Sequence, residues 1–213
     1  MQGLWRQSAL LMALVCSIYY NALENQFHYD DFHSIVHNPH IRDLANMPRF
    51  FVEPELFSVD VRQAMYRPLL LCSYALNYAL DGLDPAGYHL FNGFLHAINA
   101  VWVLLLARAL GTGAMASLAT ALLFAVHPLN SEVIHYASSR SEVLMAFFFL
   151  ASCLAFMRFD ASGGWGWYVG SLLCGIAALF CKSVALVLVL VLPLCIWWRW
   201  GDPLRNWPRY LPF

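Results

Sequence analysis

The chain has 213 residues, of which 61% are hydrophobic and 12% charged, with a mean hydropathy of +0.58 and a formal net charge of −1. A soluble domain carries roughly a quarter charged residues, so this composition excludes an ordinary soluble globule and implies an all-α polytopic membrane helix bundle. The charge balance offers no footing for nucleic acid, and the six cysteines, nearly all inside apolar segments, do not form a disulfide framework or a CxxC metal site.

Taken in chain order, the apolar runs predict about six spans, each needing roughly 17–25 residues. The first, Leu4–Leu23, lacks a small-residue cleavage site and reads as a retained signal anchor. A long outer loop follows over 24–87. Within it Asn38-Pro39-His40 looks like a helix start. The run from Pro68 to Leu80 reads as a helix with proline in its first turn, ended by Asp81-Gly82 and lying along the outer membrane face. The second span is expected at 88–110, the third at 114–127, short unless it continues into His127-Pro128. The remaining spans are expected at 141–157, 165–181 and 184–200. Gly111-Thr112-Gly113 and Ser162-Gly163-Gly164 make compact breaks between neighbours, and Trp5, Trp165, Trp167, Trp197, Trp198 and Trp200 fall near helix ends as interfacial anchors.

Short-loop arginines set the orientation. Arg6, Arg108, Arg158, Arg199, Arg205 and Arg209 share the side of the N-terminus, against Arg140 and Lys182 on the other side, so both termini are expected to be cytoplasmic. The same topology suits a bacterial inner membrane or an endoplasmic reticulum membrane.

Polar residues in so apolar a chain require a reason. Asp30 and Asp31 stand just past the first span, where carboxylates facing a cleft can take a proton from a hydroxyl or bind a divalent cation. Arg67, Arg140 and Lys182 fall on the same side and suit an anionic lipid phosphate. Glu132 and Arg140 lie two helical turns apart, which also suits a structural ion pair. His89, Asn92, His96 and Asn99 recur at three- and four-residue spacing on one helix face. Interhelical hydrogen bonding explains the last three; His89, at the outer end, lies nearer the cleft, as do His127 and Glu132. His28, His33, His37 and His40 raise a transition-metal site, but their spacing fits no specific zinc pattern. No cofactor is specified by the sequence, and a divalent cation at Asp30/Asp31 stays open.

Tyr29-Asp30-Asp31 with Ser34-Ile35 and Asn38-Pro39 resembles a known pattern. So do Tyr66-Arg67-Pro68-Leu69 leading to Gly87-Tyr88-His89-Leu90-Phe91-Asn92, His127-Pro128 with Glu132 and Arg140, and Cys181-Lys182-Ser183-Val184-Ala185-Leu186. Together they are similar to the membrane half of the transmembrane and tetratricopeptide-repeat O-mannosyltransferases and their bacterial relatives, which are GT-C glycosyltransferases. The resemblance implies inverting transfer of a hexose, mannose foremost, from a polyprenyl-phosphate sugar donor to a hydroxyl of a protein or glycan acceptor outside the cytoplasm. By position it makes Asp30 or Asp31 the base, gives Arg67, Arg140 and Lys182 the donor phosphate, and places His89, His127 and Glu132 at the sugar or acceptor pocket. The chain has no repeat of about 34 residues and reads as a single membrane domain, 1–213, from the N-terminal part of such a protein. Two other readings stand beside it. A transporter or lipid-binding protein would use the polar face of the second span as a pathway, and a truncated module would be inactive.

Overall fold

The computed structural model describes residues 2–201, so Arg205 and Arg209 lie outside the described residues. Among the described residues there is no strand. The helices are α1 (Gln2–Ile18), α2 (Pro68–Asp81), α3 (Pro85–Ala109), α4 (Ala114–Val126), α5 (Pro128–His135), α6 (Arg140–Ser162), α7 (Trp165–Cys181) and α8 (Leu188–Trp200). An all-helical bundle is what a bilayer demands, since every backbone N–H and C=O must find its partner within the protein.

Among the described residues three segments are long and apolar enough to cross a membrane: Pro85–Ala109, Ala137–Ser162 and Ser183–Trp200. The pair α4 and α5 counts as a fourth if its 52° bend is one broken span. Gly3–Ile18 and Trp165–Cys181 are shorter apolar helices. The first helix therefore stops well before Leu23: after Ile18 the chain tightens into a 3₁₀ turn over Tyr20–Glu24. Elsewhere the expected boundaries differ by a few residues, and α7 matches its expected limits.

Small residues allow close packing on one side of the bundle. Ala97 and Ala100 of α3 meet Ala121 and Ala125 of α4, with Leu11 and Val15 of α1 and Leu104 of α3 filling between them. On the other side Phe156 and Met157 of α6 pack on Tyr168 of α7 and on Leu188, Leu192 and Ile196 of α8. Ser152 and Ser171 exchange hydrogen bonds with each other's carbonyls at 2.9 and 2.8 Å, stitching α6 to α7.

The outer loop has its own core. Ile35, Ile41, Phe50, Leu56 and Phe57 are buried against Leu70, Leu71, Tyr74 and Ala75 of α2 and Tyr88 of α3. Asn38 organises it: its Nδ2 donates to the carbonyls of Ser34, Leu56 and Phe57 at 3.1–3.2 Å, and its Oδ1 accepts His40 N–H at 2.9 Å. The helix expected at Asn38-Pro39-His40 is a single turn, His40–Arg42. One face of α2 is thus covered by the loop.

The bend at His127-Pro128 and the far end of α5 explain most of the polar stripe of α3. Proline has no N–H, so the carbonyl of Phe124 loses its helical donor; Asn130 Nδ2 supplies one at 2.8 Å. Leu129 N–H turns to His127 Nδ1, 3.2 Å away, which frees the carbonyl of Ala125. That oxygen accepts from His96 Nε2 at 3.1 Å and Tyr19 Oη at 3.1 Å. At the other end of α5, where the last carbonyls have no partner within the helix, His89 Nδ1 donates to Ile134 O at 2.8 Å, Asn92 Nδ2 to Val133 O at 3.0 Å, and Asn25 Nδ2 to His135 O at 3.3 Å. Asn99 Nδ2 reaches Val143 O of α6 at 2.9 Å. All four polar residues of the stripe are buried. Each donates to a backbone carbonyl, which gives the stripe a structural role.

Candidate active site

Asp30 and Asp31 are adjacent in sequence but sent to different places. Tyr29 adopts φ +42°, a left-handed conformation unusual for a tyrosine, and the chain then enters the wide π-type turn Phe32–Val36. Asp31 is wholly buried. Its Oδ2 accepts His28 N–H at 2.9 Å and its Oδ1 accepts Ser138 N–H at 2.7 Å. Burial raises the Asp31 carboxyl above its ordinary value, and these two N–H groups oppose the rise.

Asp30 is fixed by its backbone, and its side chain is largely exposed. Its N–H donates to Tyr136 Oη at 2.8 Å, and its carbonyl accepts Ser34 Oγ at 2.6 Å. The carboxylate is 68% exposed, with His33 Nε2 3.6 Å from Oδ1. His33 is oriented through Nδ1, 2.9 Å from the buried Ser58 Oγ.

The Asp30 carboxylate opens on a cavity of about 250 Å³ at the junction of the outer loop, the α5–α6 connection and the end of α7. Arg67, the residue before α2, lines it, its guanidinium 5.8 Å from the Phe57 ring centroid. Glu132 enters from α5, Glu142 from the first turn of α6, and Lys182 from the end of α7. Lys182 Nζ and Glu142 form an ion pair, both partly exposed. Tyr136 closes one wall, its phenol pushed up by burial. Phe180 of α7 meets Tyr66 and Phe51 of the loop edge to face at 6.0 and 5.6 Å, holding the loop over the α7 end.

Four of the expected site residues therefore meet: Asp30, Arg67, Glu132 and Lys182. Four do not line this cavity. Asp31 is locked into the backbone as above. Arg140 is 0% exposed and is a structural hub. Its Nε donates to Asn92 Oδ1 at 2.8 Å, and its Nη2 to Asn77 Oδ1 at 2.7 Å and Tyr88 O at 3.1 Å. Its Nη1 reaches Ser73 O at 3.2 Å, and the rings of Tyr74, Tyr88 and Phe91 lie 4.5–5.1 Å away. It does not line the cavity that holds Asp30 and forms no ion pair with Glu132 among the described residues. His89 is buried, donating to Ile134 O. His127 is exposed at the start of α5, capping Leu129 N–H.

Glu142, Tyr136, Ser138, Ser139 and Ser141 are among the lining residues that the sequence did not single out as site residues, and His33, raised there only as a metal candidate, lines the cavity as well. Among the described residues no cluster of three or more His, Cys, Asp or Glu side chains is placed to hold a metal ion. Asp31 is buried with each oxygen accepting a backbone N–H, whereas the Asp30 carboxylate is exposed.

Residues 8–210 match the family described as dolichyl-phosphate-mannose-protein mannosyltransferase. Protein O-mannosyl-transferase Tmtc1 of Drosophila melanogaster is 35% identical over 188 residues, covering 86% of this chain and 22% of the relative. Protein O-mannosyl-transferase TMTC2 of Homo sapiens is 31% identical, covering 84% and 22%, and TMTC3 of Mus musculus 30%, covering 87% and 21%. The chain thus spans about a fifth of the length of these curated relatives. No solved structure matches it significantly. The chain belongs to the dolichyl-phosphate-mannose-protein mannosyltransferase family, with relatives among the transmembrane O-mannosyl-transferases.

Proposed function

We propose that this chain carries the catalytic membrane end of an inverting glycosyltransferase of GT-C type. In this reading it moves mannose from a polyprenyl phosphate to a hydroxyl of a protein or glycan on the extracytoplasmic side, with both termini cytoplasmic. The observation that carries the reading is one cavity lined by an exposed, backbone-anchored carboxylate, Asp30, and by two cations, Arg67 and Lys182. Asp30 takes the acceptor proton as its oxygen attacks the anomeric carbon from the face opposite the leaving group. The bond from that carbon to the phosphate oxygen breaks, and Arg67 and Lys182 stabilise the charge gathering on the lipid phosphate. Glu132 stands where sugar or acceptor hydroxyls would pass. Arg140 and Asp31 hold the frame.

The apolar outer loop core and the ring contacts through Phe180 give the cavity a fixed roof, which supports positioning of two substrates. The test is transfer of radiolabelled mannose from polyprenyl-phosphate mannose by membranes carrying the protein. Lys182→Gln and Arg67→Gln each remove a charge-assisted contact and should raise donor KM roughly 10–100-fold. A donor KM unchanged in both variants would remove the phosphate assignment.

A further inference from the structure

A second cavity, of about 730 Å³, opens at the other end of the bundle. Along α6 the first cavity is lined by Glu142 and the second by Arg158, which are separated by roughly 24 Å of helix. That span approaches the thickness of a bilayer's hydrocarbon core. Trp102 and Leu105 of α3, Leu154 of α6 and Leu4 of α1 make apolar walls. Trp102 stacks on Phe147 with ring centroids 4.4 Å apart, which stiffens one side. Room comes from α7: Gly166 and Gly170 line the cavity at i,i+4 spacing, and a Cβ at either would meet nothing within 4 Å.

Three guanidiniums border this hollow: Arg108, Arg158 and Arg199, near the ends of α3, α6 and α8. Arg108 donates Nη2 to Gln7 Oε1 at 3.2 Å, while its buried Nε has no acceptor among the described residues. Arg199 donates to Ala109 O and lies 5.0 Å from the Trp200 ring centroid. The exposed Arg158 side chain makes no hydrogen bond or ion pair among the described residues. Asp160, a carboxylate at the same end, accepts Trp200 Nε1 at 2.8 Å. Helix C-termini attract cations, and arginines at a membrane boundary extend toward water. Either effect explains one arginine at one helix end. Neither explains three converging on a single apolar hollow with a buried N–H facing no oxygen.

We propose that this cavity binds an anionic glycerophospholipid. Its phosphate oxygens accept from Arg108 and Arg158 with Arg199 adding charge, and one acyl chain lies along Gly166 and Gly170. Three cations select a head group of net negative charge, and the apolar walls select a lipid over free phosphate. The site stands apart from the proposed sugar transfer and does not depend on it.

The test is native mass spectrometry of the full chain released from nanodiscs of mixed phosphatidylglycerol and phosphatidylcholine. One phosphatidylglycerol should be retained in preference to phosphatidylcholine. Arg158→Gln should weaken retention roughly fivefold, the factor equivalent to about 1 kcal/mol per basic residue. Gly170→Leu fills the hollow where a Cβ meets no neighbour, so it should abolish retention while leaving the thermal unfolding temperature of the protein in place. Lys182→Gln, at the other cavity, should leave retention unchanged. Equal retention of both lipids, retention insensitive to Gly170→Leu, loss on Lys182→Gln, or displacement by millimolar inorganic phosphate would each overturn the proposal.

Discussion

The carboxylate of Asp31 accepts the backbone N–H of Ser138 at 2.7 Å, tying the outer loop to the start of α6. This contact divides two adjacent acids by role. Asp31 fixes the α5–α6 connection, and Asp30, held through Tyr136 two residues before Ser138, is left to face the cavity.

Asp31→Asn replaces an acceptor of two N–H groups by an amide with one acceptor and an opposed donor. We expect a loss of about 1–2 kcal/mol in stability at neutral pH, read as a lower thermal unfolding temperature. Burial also raises the Asp31 carboxyl from its ordinary 3.8. The folded chain then holds the proton more tightly than the unfolded chain. Its contribution to stability is greatest below 3.8 and falls as pH rises through the raised folded value. Unfolding followed across that interval should show this slope in the wild type and lose it in Asp31→Asn.

Asn130 supplies the donor that Pro128 cannot give to Phe124 O. Asn130→Ala leaves that carbonyl unsatisfied and should cost about 1–3 kcal/mol. Asn130→Asp keeps the shape but not the donor and should cost no less, whereas a role in filling space alone would spare it. Thermal unfolding of both variants decides between these.

Arg140 binds four oxygens of α2 and α3 from the first turn of α6. Lysine cannot reproduce its fork, so Arg140→Lys should cost about 3–5 kcal/mol, as breaking a buried charged cluster does. The loss should appear in folded yield and unfolding temperature. Donor KM of the surviving folded fraction should stay near the wild-type value.

Glu142 holds Lys182 in an ion pair, and under the proposed function an incoming phosphate would compete with it. Both side chains are partly exposed, so the pair is worth little, about 0.2–1 kcal/mol. Glu142→Gln should therefore lower donor KM by no more than roughly fivefold. A raised KM would place Glu142 on the substrate side instead.

Much of the helical frame was legible because it is local. Gly163-Gly164 and the apolar run after them define α7, and Pro68 after Arg67 marks the start of α2. The period of His89, Asn92, His96 and Asn99 revealed a shared face. Their partners were hidden because they are carbonyls of other elements brought near by packing: Ala125 O, freed by the bend at Pro128, Val133 O and Ile134 O at the end of α5, and Val143 O of α6. Arg140 reads as an exposed loop cation until α2 and α3 close over it. Glu142 was findable: Glu142 and Lys182 lie equally far in sequence from Ser162, so folding α6 against α7 brings them to the same level. Hydrophobicity runs on to Leu23 while α1 ends at Ile18, because hydrophobicity does not register the 3₁₀ tightening that follows.

The measurement that bears most directly on the account is kcat for mannosyl transfer from polyprenyl-phosphate mannose in Asp30→Asn. With the general base removed, kcat should fall about 10²–10⁴-fold, with the unfolding temperature unchanged because the Asp30 side chain is exposed. Wild-type turnover in a properly folded Asp30→Asn protein would contradict the assignment of Asp30 as the base.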